Sequence, residues 1–152
     1  MKPFKPLALL RQALPAIILI VTGLPAMAQN TPVGLWRTID DQTGQAKAEI
    51  RIRADSRGLL TGVVEKSLVV NPAPICTECT DDRKDQPKLG MEVIRDIQKM
   101  EDPELWGKGK ILDPENGRSY TLRLHPIEGG NRLEVRVTFG PFGRTQTWVR
   151  IQ

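Results

Sequence analysis

The chain has 152 residues, with 22 basic against 18 acidic side chains, a formal charge of +4 and 5% aromatic residues. That length supports one domain with a single core and excludes two. The positive balance is no sign of nucleic-acid binding, because three of the basic residues, Lys2, Lys5 and Arg11, sit in a short leader-like segment with no acidic residue, and no aromatics are interleaved with a basic stripe.

Residues 1–28 have the form of a secretory signal peptide: the basic start, an apolar run ALPAIILIVTGL from Ala13 to Leu24, and the small-residue cleavage site Ala26-Met27-Ala28. The run is about 12 residues against the roughly 20 that span a bilayer, and Pro15 and Gly23 interrupt it, which argues against a membrane anchor. No cysteine follows the cleavage site to mark a lipoprotein. The expected mature chain, residues 29–152, carries 19 basic against 18 acidic residues. The sequence thus predicts an exported protein, most simply in the periplasm of a Gram-negative bacterium, with no membrane span once the leader is removed.

Beyond the leader, short runs of alternating polarity recur between turn signals. Gly34 to Ile39 (GLWRTI) is a first strand. In AEIRIRA, Ala48, Ile50, Ile52 and Ala54 share one face and Glu49, Arg51 and Arg53 the other. Asp55-Ser56-Arg57-Gly58 turns into a third strand, Leu59 to Leu68. A non-repetitive stretch, CTECTDDRKDQPKLG from Cys76 to Gly90, separates this strand from the next segment. There Met91, Ile94, Ile97 and Met100 recur every three residues, a spacing that slightly favours an amphipathic helix over a strand. Strands then resume with Trp106 to Leu112, Arg118 to Ile127, Arg132 to Phe139 and Arg144 to Ile151. Short local connections demand antiparallel pairing.

Several motifs, in order, resemble a family of bacterial exported proteins known only as a domain of unknown function. They are Gly34-Leu35-Trp36-Arg37, Cys76-x-x-Cys79, Asp85-Gln86-Pro87 with Gly90-Met91, Trp106-Gly107-Lys108-Gly109, Lys110-Ile111-Leu112-Asp113-Pro114, Asn116-Gly117-Arg118-Ser119-Tyr120, and Gly143 to Trp148. The resemblance implies a lipocalin-like (calycin) barrel and a strand at residues 91–100, but no activity, cofactor or catalytic residue. Similar chains have Gly-Gly after the tryptophan where this one has Gly107-Lys108-Gly109, which leaves that turn open. Gly34-x-Trp36 is also similar to the opening of lipocalin barrels, in which an arginine of the last strand covers the indole; Arg150 or Arg144 could supply it. With residues 91–100 counted as a strand, the fold expected is all-β, an antiparallel up-and-down meander of about eight strands closing into a small barrel. A two-sheet sandwich is the alternative.

The candidate chemistry is sparse. Cys76, Cys79 and the lone His125 fall short of a structural zinc set even with Asp81 or Asp85 added, and Asp81, Asp82 and Asp85 lack the spacing of a calcium loop. Glu78 and Asp81 beside Cys-x-x-Cys oppose the low thiol pKa that redox catalysis needs, so an oxidising compartment favours a Cys76–Cys79 disulfide. His125 reads as a solvated strand-edge residue, and Ser56, Ser67 and Ser119 lack a nucleophile context. Arg51, Arg53, Arg132 and Arg136 are expected to pair across strands with Glu49 and Glu134.

No catalytic residue, metal or cofactor is therefore expected. The reading is a non-catalytic binding protein for a small amphipathic ligand, with Trp36, Tyr120, Arg144, Gln146, Trp148 and Arg150 as candidate contacts. The alternative is a filled barrel that meets an envelope protein through Asp81, Asp82, Arg83, Lys84 and Asp85.

Overall fold

The computed structural model describes Met1 and residues 30–152; the leader expected at residues 1–28 lies otherwise outside the described residues. Eight strands follow one another: β1 (Gly34–Ile39), β2 (Ala46–Ala54), β3 (Leu60–Ser67), β4 (Glu92–Lys99), β5 (Trp106–Asp113), β6 (Arg118–Ile127), β7 (Arg132–Phe139) and β8 (Phe142–Arg150). Each pairs antiparallel with the next, and β8 returns to β1 through Trp36 opposite Arg150 and Arg37 opposite Val149, so the sheet closes into a barrel. Closure satisfies the edge groups that an open sheet would leave bare, and it excludes the two-sheet sandwich.

Residues 91–100 contain strand, and the three-residue spacing of Ile94 and Ile97 has a specific cause. Ile97 opposes Leu60 and Ile94 opposes Gly62, so three residues of β4 span two of β3. Asp96 takes up the excess in a left-handed conformation, φ 59°. A β-bulge, not a helical period, brings both isoleucines to one face. A matching bulge lies alongside on β5. There Trp106 opposes Leu124 and Gly109 opposes Leu122, with Lys108 at φ 63°.

The barrel is shut at the end where β1 begins. Trp36 is fully buried, its indole Nε1 donates to the Pro32 carbonyl at 2.7 Å, and the Arg150 guanidinium lies over its ring at 4.2 Å. Arg150 also donates to the carbonyls of Val33 at 2.8 Å, Thr31 at 2.6 Å and Gly130. Burial alone would push a cation toward its neutral form, and it does lower the Arg150 pKa. The backbone acceptors replace the water that was lost, and the indole face adds a cation–π contact. Gly34 opens the motif because a Cβ there would meet Arg150 Nη1 at 2.3 Å.

Above this plug, Ile52, Ile97, Leu122, Leu124, Leu133 and Val135 are buried almost completely and fill the lower half of the barrel. The ion pairs on the outer wall differ from the simple expectation. Glu49 pairs with Arg37 at 2.9 Å, and Arg51 reaches diagonally to Glu65 at 2.8 Å, where Arg53 also lies within 3.6 Å. Glu49 lies directly opposite Arg37, whereas Arg51 lies opposite Val63 and reaches two residues along to Glu65. Arg132 pairs with Glu128, and Arg136 donates to Thr145.

Replacing Arg150 with methionine leaves three partly buried carbonyls without their donor. The expected loss is about 2–4 kcal/mol in urea unfolding, larger than the loss of about 1 kcal/mol or less for the exposed Arg37→Met. Equal losses for the two variants would contradict the closing role.

Candidate functional site

The upper half of the barrel is hollow. A cavity of about 850 Å³ opens at the end that carries the β1–β2, β3–β4, β5–β6 and β7–β8 connections. Its floor is apolar: Ile50, Val64 and Trp148, all buried. Its wall includes Thr38, Ala48, Ile111, Tyr120, Val137, Arg144 and Gln146, and its mouth is formed by residues 69–73, Asp113–Asn116, Phe139 and Phe142. Leu122, Leu124, Leu133 and Val135 do not reach it. The size falls within the range of small-molecule sites, and the mix of apolar lining with a few polar groups is typical of them.

Of the six residues singled out for ligand contact, the structure brings four together on this cavity: Tyr120, Arg144, Gln146 and Trp148. Trp36 and Arg150 lie at the closed end instead. Three of them, Arg144, Gln146 and Trp148, are linked by a polar chain along β8. Trp148 Nε1 donates to Gln146 Oε1 at 3.2 Å, Gln146 Nε2 donates to Asp41 Oδ1 at 3.3 Å, and Arg144 Nε lies 3.3 Å from the same oxygen. Tyr120 accepts from Asn116 Nδ2 at 3.2 Å, which leaves its own hydroxyl hydrogen free to donate. Sequence reasoning missed Asp41, the common anchor, because it belongs to the β1–β2 turn and reaches β8 only once the barrel has closed. It also missed Phe139 and Phe142, which oppose each other across the short β7–β8 turn and share faces with Val137 and Arg144.

The β3–β4 connection contributes to the mouth and then leaves it. Residues 69–73 line the cavity, whereas the segment from Cys76 to Lys88 packs on the outside of the wall. Ile111 opposes Tyr120, so its neighbours Lys110 and Leu112 face the other way, outward, opposite Thr121 and Ser119. Leu112 is nevertheless buried, and so are Cys76 and Cys79 at 0% and 1% exposure. The two cysteines form a disulfide with Cα atoms 5.5 Å apart. The segment lies so close to the β5–β6 turn that a Cβ on Gly117, at φ 67°, would meet the Glu78 carbonyl oxygen at 1.9 Å. It covers an apolar patch on the outer face, a small second core.

The charges of this segment hold it there. Arg83 is buried, pairs with Asp81 and donates to the Glu92 carbonyl at 2.9 Å. Asp82 takes both Nη groups of Arg95 at 2.8 Å, and Lys88 pairs with Glu115 at 2.8 Å. Lys84 donates to the Thr77 carbonyl and lies 3.7 Å from Asp85; both side chains are largely exposed. Bonding to Arg83 holds Asp81 down at about 2. A second, smaller groove of about 360 Å³ runs between this segment and β5, past Lys108, Lys110 and Ser119. Among the described residues, no group of three or more His, Cys, Asp or Glu side chains could hold a metal ion, and no helix is long and apolar enough to cross a membrane. His125 is half-exposed, 3.7 Å from Glu104.

A closed eight-stranded antiparallel barrel, plugged at one end by a tryptophan under an arginine and open at the other, defines the lipocalin-like class. The solved structure of HP1028 from Helicobacter pylori, described as belonging to the lipocalin family, superimposes with a TM-score of 0.66 at 17% identity, over 79% of this chain and 82% of that one. At that identity the likeness shows the fold alone. No curated protein matches the sequence. The chain belongs to the family described as "uncharacterized protein conserved in bacteria (DUF2147)", whose match covers residues 34–150.

Two outcomes test the wall-bound segment. Closing a four-residue ring contributes at most about 2 kcal/mol, so Cys76→Ser/Cys79→Ser should leave a folded barrel with a modestly lower urea midpoint; global unfolding would contradict this. The Asp81 carboxyl is depressed when folded, so its contribution is complete above the ordinary carboxylate pKa of about 3.9 and is withdrawn as pH falls toward about 2. Amide exchange at Cys76, which donates to the Gln86 carbonyl, should stay protected at pH 4 and lose protection near pH 2, while Asp81→Asn is weakly protected at both. Wild-type loss between pH 5 and 4 would contradict the assignment.

Proposed function

We propose that this is an exported protein that holds one small amphipathic ligand in its upper cavity, without catalysis. The observation that carries the reading is the cavity itself: about 850 Å³ of space above an apolar floor in a barrel whose lower half is packed. An eight-stranded barrel can be filled entirely by its own side chains, so a half-empty one calls for an occupant. Tyr120, Arg144, Gln146 and Trp148 are the proposed contacts, and Trp36 and Arg150 act only by closing the opposite end. The disulfide and the bacterial family support export, since reducing cytosol opposes such a bond; the periplasm is the proposed compartment. Contact with an envelope protein through Asp81–Asp85 has less support, because Asp81, Asp82 and Arg83 are spent on holding their own segment.

Titration with the neutral dye Nile red should give saturable, one-to-one fluorescence enhancement, and native mass spectrometry of freshly purified protein should show a copurified small molecule or one-to-one uptake of an added amphiphile. Gln146→Leu, which severs the link between Trp148 and Asp41, should weaken binding severalfold with little change in thermal midpoint. No dye enhancement and no bound species would contradict the proposal.

A further inference from the structure

The cations of the outer wall divide by side. On β1–β3 the arginines are answered: Arg37 pairs with Glu49, and Arg51 and Arg53 both lie on Glu65. On β5–β7 they are not. Arg123 stands directly opposite Arg136, a like-charge pair that costs stability unless something outside the barrel answers it. Lys110 lies one step nearer the mouth, opposite Thr121. Lys108 sits at the level of Arg123, because Trp106 opposes Leu124 and Gly109 opposes Leu122. All of these side chains are exposed, and none has an ion pair within the described residues. Glu134, an acid on this face, lies opposite His125 toward the closed end. Asp96 of β4 borders the smaller groove without pairing with Lys108 or Lys110.

The same wall ends in an apolar tip. The β7–β8 turn reads Phe139-Gly140-Pro141-Phe142, and its rings are 58% and 75% exposed, with Val70 beside the mouth 89% exposed. Arg136 leans toward this tip. Its Nη1 donates to Thr145 at 3.3 Å, and a Cβ on Gly143 would meet its Nη2 at 3.0 Å. With a rise of about 3.3 Å per residue, Arg136 lies about 10 Å behind Phe139, about one Debye length at 0.1 M salt. The acidic residues of the mouth are already engaged. Asp41 meets Arg144 and Gln146, Asp40 accepts from Thr43, Asp113 accepts within its own turn, and Glu115 pairs with Lys88.

Exposed phenyl rings ahead of unpaired cations match the interface of an anionic bilayer, where the acyl boundary receives the rings and phosphate oxyanions meet the cations. A second copy of this chain fits worse, since a two-fold contact through this edge sets the same cations against each other. We infer that the β7–β8 edge of the mouth docks on an anionic phospholipid surface. Phe139 and Phe142 enter the interface, and Lys108, Lys110, Arg123 and Arg136 lie over the headgroups. Docking of this kind uses the rim and the outer wall alone, and it brings the mouth of the cavity onto the lipid.

The test uses residues 29–152, because the apolar run at residues 13–24 would bind lipid by itself. Vesicle flotation compares phosphatidylcholine alone with an equal mixture of phosphatidylcholine and phosphatidylglycerol. The mixed vesicles should be bound at least about tenfold more tightly, and the difference should shrink as salt rises to about 1 M. Phe139→Ser/Phe142→Ser should weaken binding to mixed vesicles about tenfold. Arg123→Gln/Arg136→Gln should remove most of the preference for them, whereas Arg37→Gln/Arg53→Gln on the opposite wall should change it by less than about twofold. Thermal midpoints check that each variant is folded. No flotation with mixed vesicles, equal losses from the two arginine variants, or flotation untouched by serine at the tip would each overturn the inference. So would sedimentation showing a dimer that the serine variant dissolves, which would give this edge to a second copy. Nile red uptake without vesicles is independent of these outcomes, so the cavity reading stands or falls separately.

Discussion

Everything else in this barrel depends on the contact between Trp36 and Arg150. It joins the first strand to the last at the seam where closure is decided. The guanidinium is taken out of water, which is costly on its own, but it is answered by the indole face and by carbonyls from the chain before β1 and from the β6–β7 turn. One side chain thus ties three separate segments to the plug. With the bottom shut, buried aliphatic residues fill the lower half, and the connections at the other end are free to stand apart around a hollow.

The β3–β4 connection illustrates how a long loop can serve two surfaces. Its first residues shape the cavity mouth, and the remainder is folded back and fastened to the outer wall. The fastening is distributed among a short disulfide, an arginine buried under the loop, ion pairs to β4 and the β5–β6 turn, and a glycine that lets two backbones touch. No one of these is strong. A four-residue disulfide ring constrains little chain entropy, and exposed ion pairs contribute little each. Together they fix where the mouth-forming residues sit, which links an outer-wall feature to the geometry of the cavity.

Much of this was legible in the sequence. Alternating polarity located the strands, and Gly-x-Trp pointed to a plug, because burial of one face imposes a two-residue period and a tryptophan with an adjacent glycine is a local signal. What alternation could not reveal was anything set by register. The bulge at Asp96 gave β4 a helix-like spacing, and Arg51 reaches past its opposite residue, Val63, to Glu65. Choosing between Arg144 and Arg150 as the residue over Trp36 required knowing which one lies opposite it across the seam. Asp41 is brought to β8 by closure, and nothing in its own neighbourhood marks it. The charged stretch after Cys79 looked like a contact surface because its partners, Glu92 and Arg95, lie on the next strand.

The central claim is a barrel filled below and hollow above. Methyl-resolved NMR of the protein during titration with a dodecyl amphiphile tests it most directly. The account predicts that methyl resonances of Ile50, Val64, Ile111 and Val137 shift strongly while those of Leu122, Leu124, Leu133 and Val135 stay in place. Uniform shifts through both sets, or shifts confined to the lower one, would contradict it.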